Sequence, residues 1–229
     1  MLAIFLSVGR WPRWIKRMGW VAVVLVIIQG IFGGLRVAGK FTFAQEDLEP
    51  NIYLAITHGV LGQIFFGWLV AMGVVMSQAW QSLKRREPSR KYRTERIHVT
   101  LLPIILVVQL VMGAIVRHIS GGLHLHITLA VIVLALAVVV GVRAWGVYGG
   151  NPRLNKAGLL LAFGAVGQLA LGIATLALTG WNGGRPPEMA MVITATLHQT
   201  IGAFLLALSI YIAVWIYRML PVKDRISAA

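Results

Sequence analysis

Long apolar runs separated by shorter polar stretches set the pattern of this chain. Six runs, 19–35, 52–80, 99–116, 123–142, 157–179 and 189–217, carry almost no charge, and only the first is short. A hydrocarbon core about 30 Å thick is crossed by roughly 20 helical residues. In that medium a helix satisfies all its own backbone hydrogen bonds, so the pattern predicts six transmembrane helices and an all-α membrane protein.

The polar residues inside the runs repeat. A Gln-x3-Gly step on one run is followed by a histidine near the start of the next: Gln29 and Gly33 then His58, Gln109 and Gly113 then His124 or His126, Gln168 and Gly172 then His198. The six helices are therefore expected as three repeated hairpins. Polar and ionisable side chains are expensive inside a bilayer and tend to mark function, so imidazoles at matching places suggest a metal or heme. A small residue stands four positions after His58, His126 and His198, namely Gly62, Ala130 and Gly202, on the same helix face. The expectation is that a flat macrocycle edge passes there. That favours His126 over His124, whose equivalent neighbour is Thr128. The Gln-x3-Gly steps read mainly as helix packing, through small residues and interhelical hydrogen bonds.

Charge gives the orientation. The net charge of +14 is distributed with Arg10, Arg13, Lys16 and Arg17 before the first run and Lys84, Arg85, Arg86, Arg90, Lys91, Arg93 and Arg96 between the second and third. Arg143, Arg153 and Lys156 follow the fourth run, and Arg218, Lys223 and Arg225 the sixth; only Arg36, Lys40, Arg117 and Arg185 fall on the other side. By the positive-inside rule both termini are expected in the cytoplasm and His58, His126 and His198 toward the outer leaflet. Basic clusters of this kind are topology signals and anionic-lipid contacts, so nucleic acid is not an expected partner.

The remaining composition narrows the chemistry. With no cysteine, the chain has no thiolate metal site, disulfide or covalently attached heme. None of its seven acids falls within the six runs, which argues against a carboxylate proton relay or di-iron site. Arg36 and Arg117 close the outer ends of the first and third runs, where each could pair with a carboxylate such as a heme propionate or reach lipid phosphate. His98 and His118 stand at run boundaries, where solvated or headgroup-facing roles suffice.

The stretches from Gln29 to Val37, Thr57-His58-Gly59, Gln109 to Arg117 with His118, and Thr196-Leu197-His198 together resemble the heme A synthase family of cytochrome oxidase assembly proteins. The resemblance covers essentially the whole chain, through short and mostly apolar motifs. It implies tandem four-helix bundles with heme sites toward the outer face of a bacterial-type inner membrane. One complete bundle is expected here, spans three to six within 98–229, together with half of a second within 1–97. It further implies that His126 and His198, with His124 as alternate for the former, are the axial ligands of a heme b, and that His58 is one ligand of a heme O substrate. The family's Glu-x-x-His-Arg motif is not found in these 229 residues. Against the family pattern the chain begins in the tail of the second helix, from Leu2 to Leu6 and the turn from Arg10 to Trp14, and no catalytic residue is identified.

The resemblance implies oxidation of a methyl group of heme O to the formyl of heme A, with a heme O synthase, a separate N-terminal hairpin subunit or a second copy of the chain as possible partners. Without the missing hairpin the chain alone is expected not to complete that reaction. The alternative is a bis-His b-type membrane cytochrome that carries electrons or holds heme without modifying it. A solute transporter with protonatable histidines is the weakest reading, because broken helices are not evident.

Overall fold

The computed structural model describes residues 11–37, 51–84, 86–148, 150–181 and 188–222. Among these, six helices are long and apolar enough to cross a membrane, and no strand occurs. We number them α1 (Arg13–Val37), α2 (Ile52–Met76), α3 (Arg93–Ile119), α4 (Leu123–Val142), α5 (Pro152–Trp181) and α6 (Met189–Met219). The chain is an all-α integral membrane protein. Many of its large apolar side chains face outward, among them Ile27, Leu160, Phe163, Ile173 and Phe204. In a bilayer such a surface is in its proper solvent, and packing rather than hydrophobicity holds the helices together. The expected segment from Leu2 to Leu6 and the basic residues Arg10, Lys40, Arg85, Arg185, Lys223 and Arg225 lie outside the described residues.

Several helix ends depart from the apolar runs. α1 begins well before residue 19, in the basic stretch, where the Pro12 carbonyl accepts from the amides of Ile15 and Lys16 at 3.0 and 3.2 Å. Proline is suited to this edge because it lacks the amide that a first turn leaves unused. The run 52–80 is not one helix. α2 stops at Met76, Ser77 is extended at φ −68° and ψ 139°, and a single helical turn follows at Gln78–Gln81. The Ser77 hydroxyl donates to the Val74 carbonyl at 2.7 Å and accepts from the Trp80 amide at 3.3 Å, ending one helix and capping the next. Between α3 and α4 the chain reverses in three residues. Ser120 and Gly122 both have positive φ, 56° and 76°, a conformation that glycine adopts freely and serine rarely. At α4 the helix widens into a π-turn, Arg143–Val147.

By packing, the chain divides into two compact units: residues 1–84 with 110–126, and 85–109 with 127–229. In the first, α1 and α2 pack through Ile15, Ala22 and Met72, flanked by Trp11, Met18, Phe65, Trp68 and Met76. The Trp68 indole donates to the Met18 carbonyl at 3.0 Å and ties the two helices. In the second, four helices each contribute a stripe of helical period: Val99, Leu102 and Leu106; Val133, Ala137 and Val140; Leu154, Ala157, Leu161 and Ala165; Leu205, Ser209, Ile212 and Ile216. α4 and α5 meet backbone to backbone. A Cβ added at Gly158 would lie 2.4 Å from the Gly141 oxygen, and one at Gly141 would lie 2.7 Å from the Gly158 oxygen.

Candidate functional site

The three Gly and His pairs share one local geometry. A Cβ added at Gly33 would lie 3.0 Å from His58 Cε1; one at Gly113, 3.1 Å from His126 Cε1; one at Gly172, 3.0 Å from His198 Cε1. The same ring atom comes nearest each time, with Nδ1 next at 3.5, 3.6 and 3.6 Å. Each imidazole therefore lies on a patch of bare helix that only glycine provides. Of the two alternates on α4, His126 takes this place, and His124 is exposed on another face.

The glutamines make the reciprocal contact. Gln29 Nε2 donates to the backbone carbonyl of His58 at 2.8 Å, and Gln168 Nε2 donates to that of His198, also at 2.8 Å. A Cβ at Gly62 would lie 2.9 Å from Gln29 Nε2. In the α1 and α2 pair, Gln29 and Gly33 on one helix thus meet His58 and Gly62 on the other. The small residue after His58 has a structural role of its own: Gly62 makes room for the Gln29 amide. The pairing also gives Gln-x3-Gly a sharper role than helix packing, because its glycine is the floor under an imidazole.

The ring faces bear on what these histidines could hold. His58 is half-buried, and its Nδ1 is enclosed without a hydrogen-bond partner. With that nitrogen enclosed, Nε2 is the atom by which His58 would hold an iron. The side-chain oxygens of Gln29 and Gln168 are likewise enclosed and unbonded, leaving acceptors beside the histidines for a ring N–H or a water. Arg36 and Arg117 are exposed in the last turns of α1 and α3. Among the described residues, no group of three or more His, Cys, Asp or Glu is arranged around a common metal position.

One polar cluster was not legible in the sequence. Glu95, in the first turn of α3, is 7% exposed, and its carboxylate takes a two-pronged ion pair from Arg143, with Arg143 Nε 3.0 Å from Glu95 Oε2. Arg143 reaches it from the π-turn. The same side chains line a small cavity with His98 and Tyr148, with room for about one water. The Nδ1 of His98 is enclosed and unbonded, so His98 faces this cavity rather than being simply solvated. Burial, with the Glu95 carboxylate adding to it, pushes the Tyr148 phenol above its ordinary range and keeps it neutral. Beside the cluster, the Arg96 guanidinium lies 4.4 Å from the centre of the Tyr217 ring and donates to the Leu220 and Tyr217 carbonyls at 3.0 and 3.2 Å. The apolar run began at residue 99 and left Glu95 outside it; the helix brings that acid into the packed end of the molecule.

No protein-family profile, curated protein or solved structure matches the chain.

Proposed function

We propose that this chain is a heme-handling protein of a bacterial-type inner membrane, similar to heme A synthases, acting in the oxidation of a methyl of heme O to the formyl of heme A. What supports this is the threefold recurrence of an imidazole seated on a glycine. A structural histidine can satisfy itself in many ways, whereas three held alike are suited to presenting the same nitrogen to the same kind of ligand. In this reading His126 and His198 hold the iron of a heme b and His58 holds the iron of the substrate heme O. Arg36 and Arg117, at helix ends otherwise poor in positive charge, pair with propionates. Heme b, when bound, supplies a one-electron couple whose potential is set by its ligands and burial. The apolar helices exclude water and carry the hemes toward the outer leaflet, with both termini cytoplasmic.

A second reading is favoured by one observation: Glu-x-x-His-Arg, the family's source of a catalytic carboxylate, is not among these 229 residues. The chain would then be a bis-His b-type cytochrome. Both readings require heme. The purified protein is expected to show a low-spin b-type spectrum that His198→Ala abolishes; an unchanged spectrum in that variant removes the ligand assignment. Coexpression with a heme O producer and a hairpin carrying Glu-x-x-His-Arg, followed by pigment extraction, separates the two, since heme A forms only under the first.

A further inference from the structure

We infer that Gln29 and Gln168 are positioning residues that set the orientation of the His58 and His198 imidazoles. The role for those rings rests on the proposed heme function, but the positioning itself does not. A glutamine that served only to pin two membrane helices could donate to any carbonyl on the facing turn. In both helix pairs it donates, at the same 2.8 Å, to the carbonyl of the one residue whose ring lies on the glycine four positions further along. Gln and Gly are therefore two fixed points about 6 Å apart along one helix, four residues at 1.5 Å each. One holds the backbone of the histidine and the other supports its ring. Two such points fix the rotation of the histidine-bearing helix about its axis, and with it the plane of the imidazole. Gly62 completes the arrangement in the first pair: with no Cβ it lets the Gln29 amide approach close enough to bond.

Replacing the glutamine by methionine keeps length and bulk while removing the donor. In the full-length protein, carbethoxylation by diethyl pyrocarbonate followed by peptide mass spectrometry reads the exposure of each imidazole without needing heme. Gln29→Met should raise the modification rate of His58 about fivefold, the population change expected from losing one ordinary hydrogen bond, and leave His198 unchanged. Gln168→Met should do the reverse. Equal rates in wild type and variants overturn the inference, and so does a rise at all histidines together, which would mean general loosening of the helices. Should Gln168→Met fail to accumulate in the membrane, Gln29→Met carries the same test. In heme-loaded protein, Gln168→Met should also move the low-spin electron paramagnetic resonance signal, which follows ligand-plane orientation; an unmoved signal, with His198 still ligating, overturns the role at that ring. Wild-type protein that binds no heme refutes the proposed function and leaves the modification result to decide the positioning role.

Discussion

Glu95 and Arg143 share one ion pair unequally. The carboxylate side chain is 10% accessible and the guanidinium 42%, so the acid depends on its partner more than the base does. Breaking a fully buried pair costs about 3–5 kcal/mol through the charge left behind. Because Arg143 still reaches solvent, Arg143→Leu should cost about 2–3 kcal/mol, read as a lowered midpoint of thermal unfolding in detergent. Glu95→Gln leaves only a solvated guanidinium and should cost about 1 kcal/mol or less. If Glu95→Gln proves the more damaging, the carboxylate has a role other than stability. The imidazole floors admit a similar test. Gly172→Ala places a methyl 3.0 Å from His198 Cε1, so the ring must move by a few tenths of an ångström. Overpacking of this kind costs about 1–3 kcal/mol, and under the proposed function heme retention during purification should fall about tenfold. Gly167→Ala, whose Cβ meets nothing within 4 Å, should retain heme as the wild type does.

At the scale of elements, the α4 and α5 crossing depends on two glycines facing each other. Since each added Cβ would strike backbone rather than a movable side chain, Gly158→Ala should force the helices apart and lower the unfolding midpoint by more than any substitution above. Gly167→Ala on the same helix should hold or raise it, because alanine favours a helix by about 1 kcal/mol over glycine. The six helices were legible in the sequence because a membrane span is read from the sum of about twenty side chains, which no single residue can overturn. Their ends were not. Ser77 breaks a run that stays apolar on both sides, and only its hydroxyl geometry shows why. The π-turn at Arg143–Val147 likewise has no signature in spacing, though it delivers Arg143 to Glu95. The four-residue steps after Gln29 and His58 were legible as a shared face; which side chain fills which gap depended on the two helices running antiparallel and being read together.

For the whole molecule, the expected orientation rests on counting loops rather than on any contact. Arg and Lys at and before the start of α1, from the end of α2 into α3, from the end of α4 into α5, and at the end of α6 outnumber those at the opposite ends, and short basic loops stay on the cytoplasmic side during insertion. The chain lacks cysteine, so single thiols can report sidedness without background. Gly121, in the turn between α3 and α4, has open space around its Cβ position, and Ser82, beyond the end of α2, is exposed. In intact spheroplasts a membrane-impermeant maleimide should label Gly121→Cys and spare Ser82→Cys until the membrane is permeabilised. The opposite pattern would place the starts of α2, α4 and α6, and with them His58, His126 and His198, toward the cytoplasm. Under the proposed function, heme would then be met on that side, and the Glu95, His98, Arg143 and Tyr148 cluster would face outward. Orientation thus decides which of the two polar regions faces the outer leaflet, where the proposed function needs the three histidines to lie.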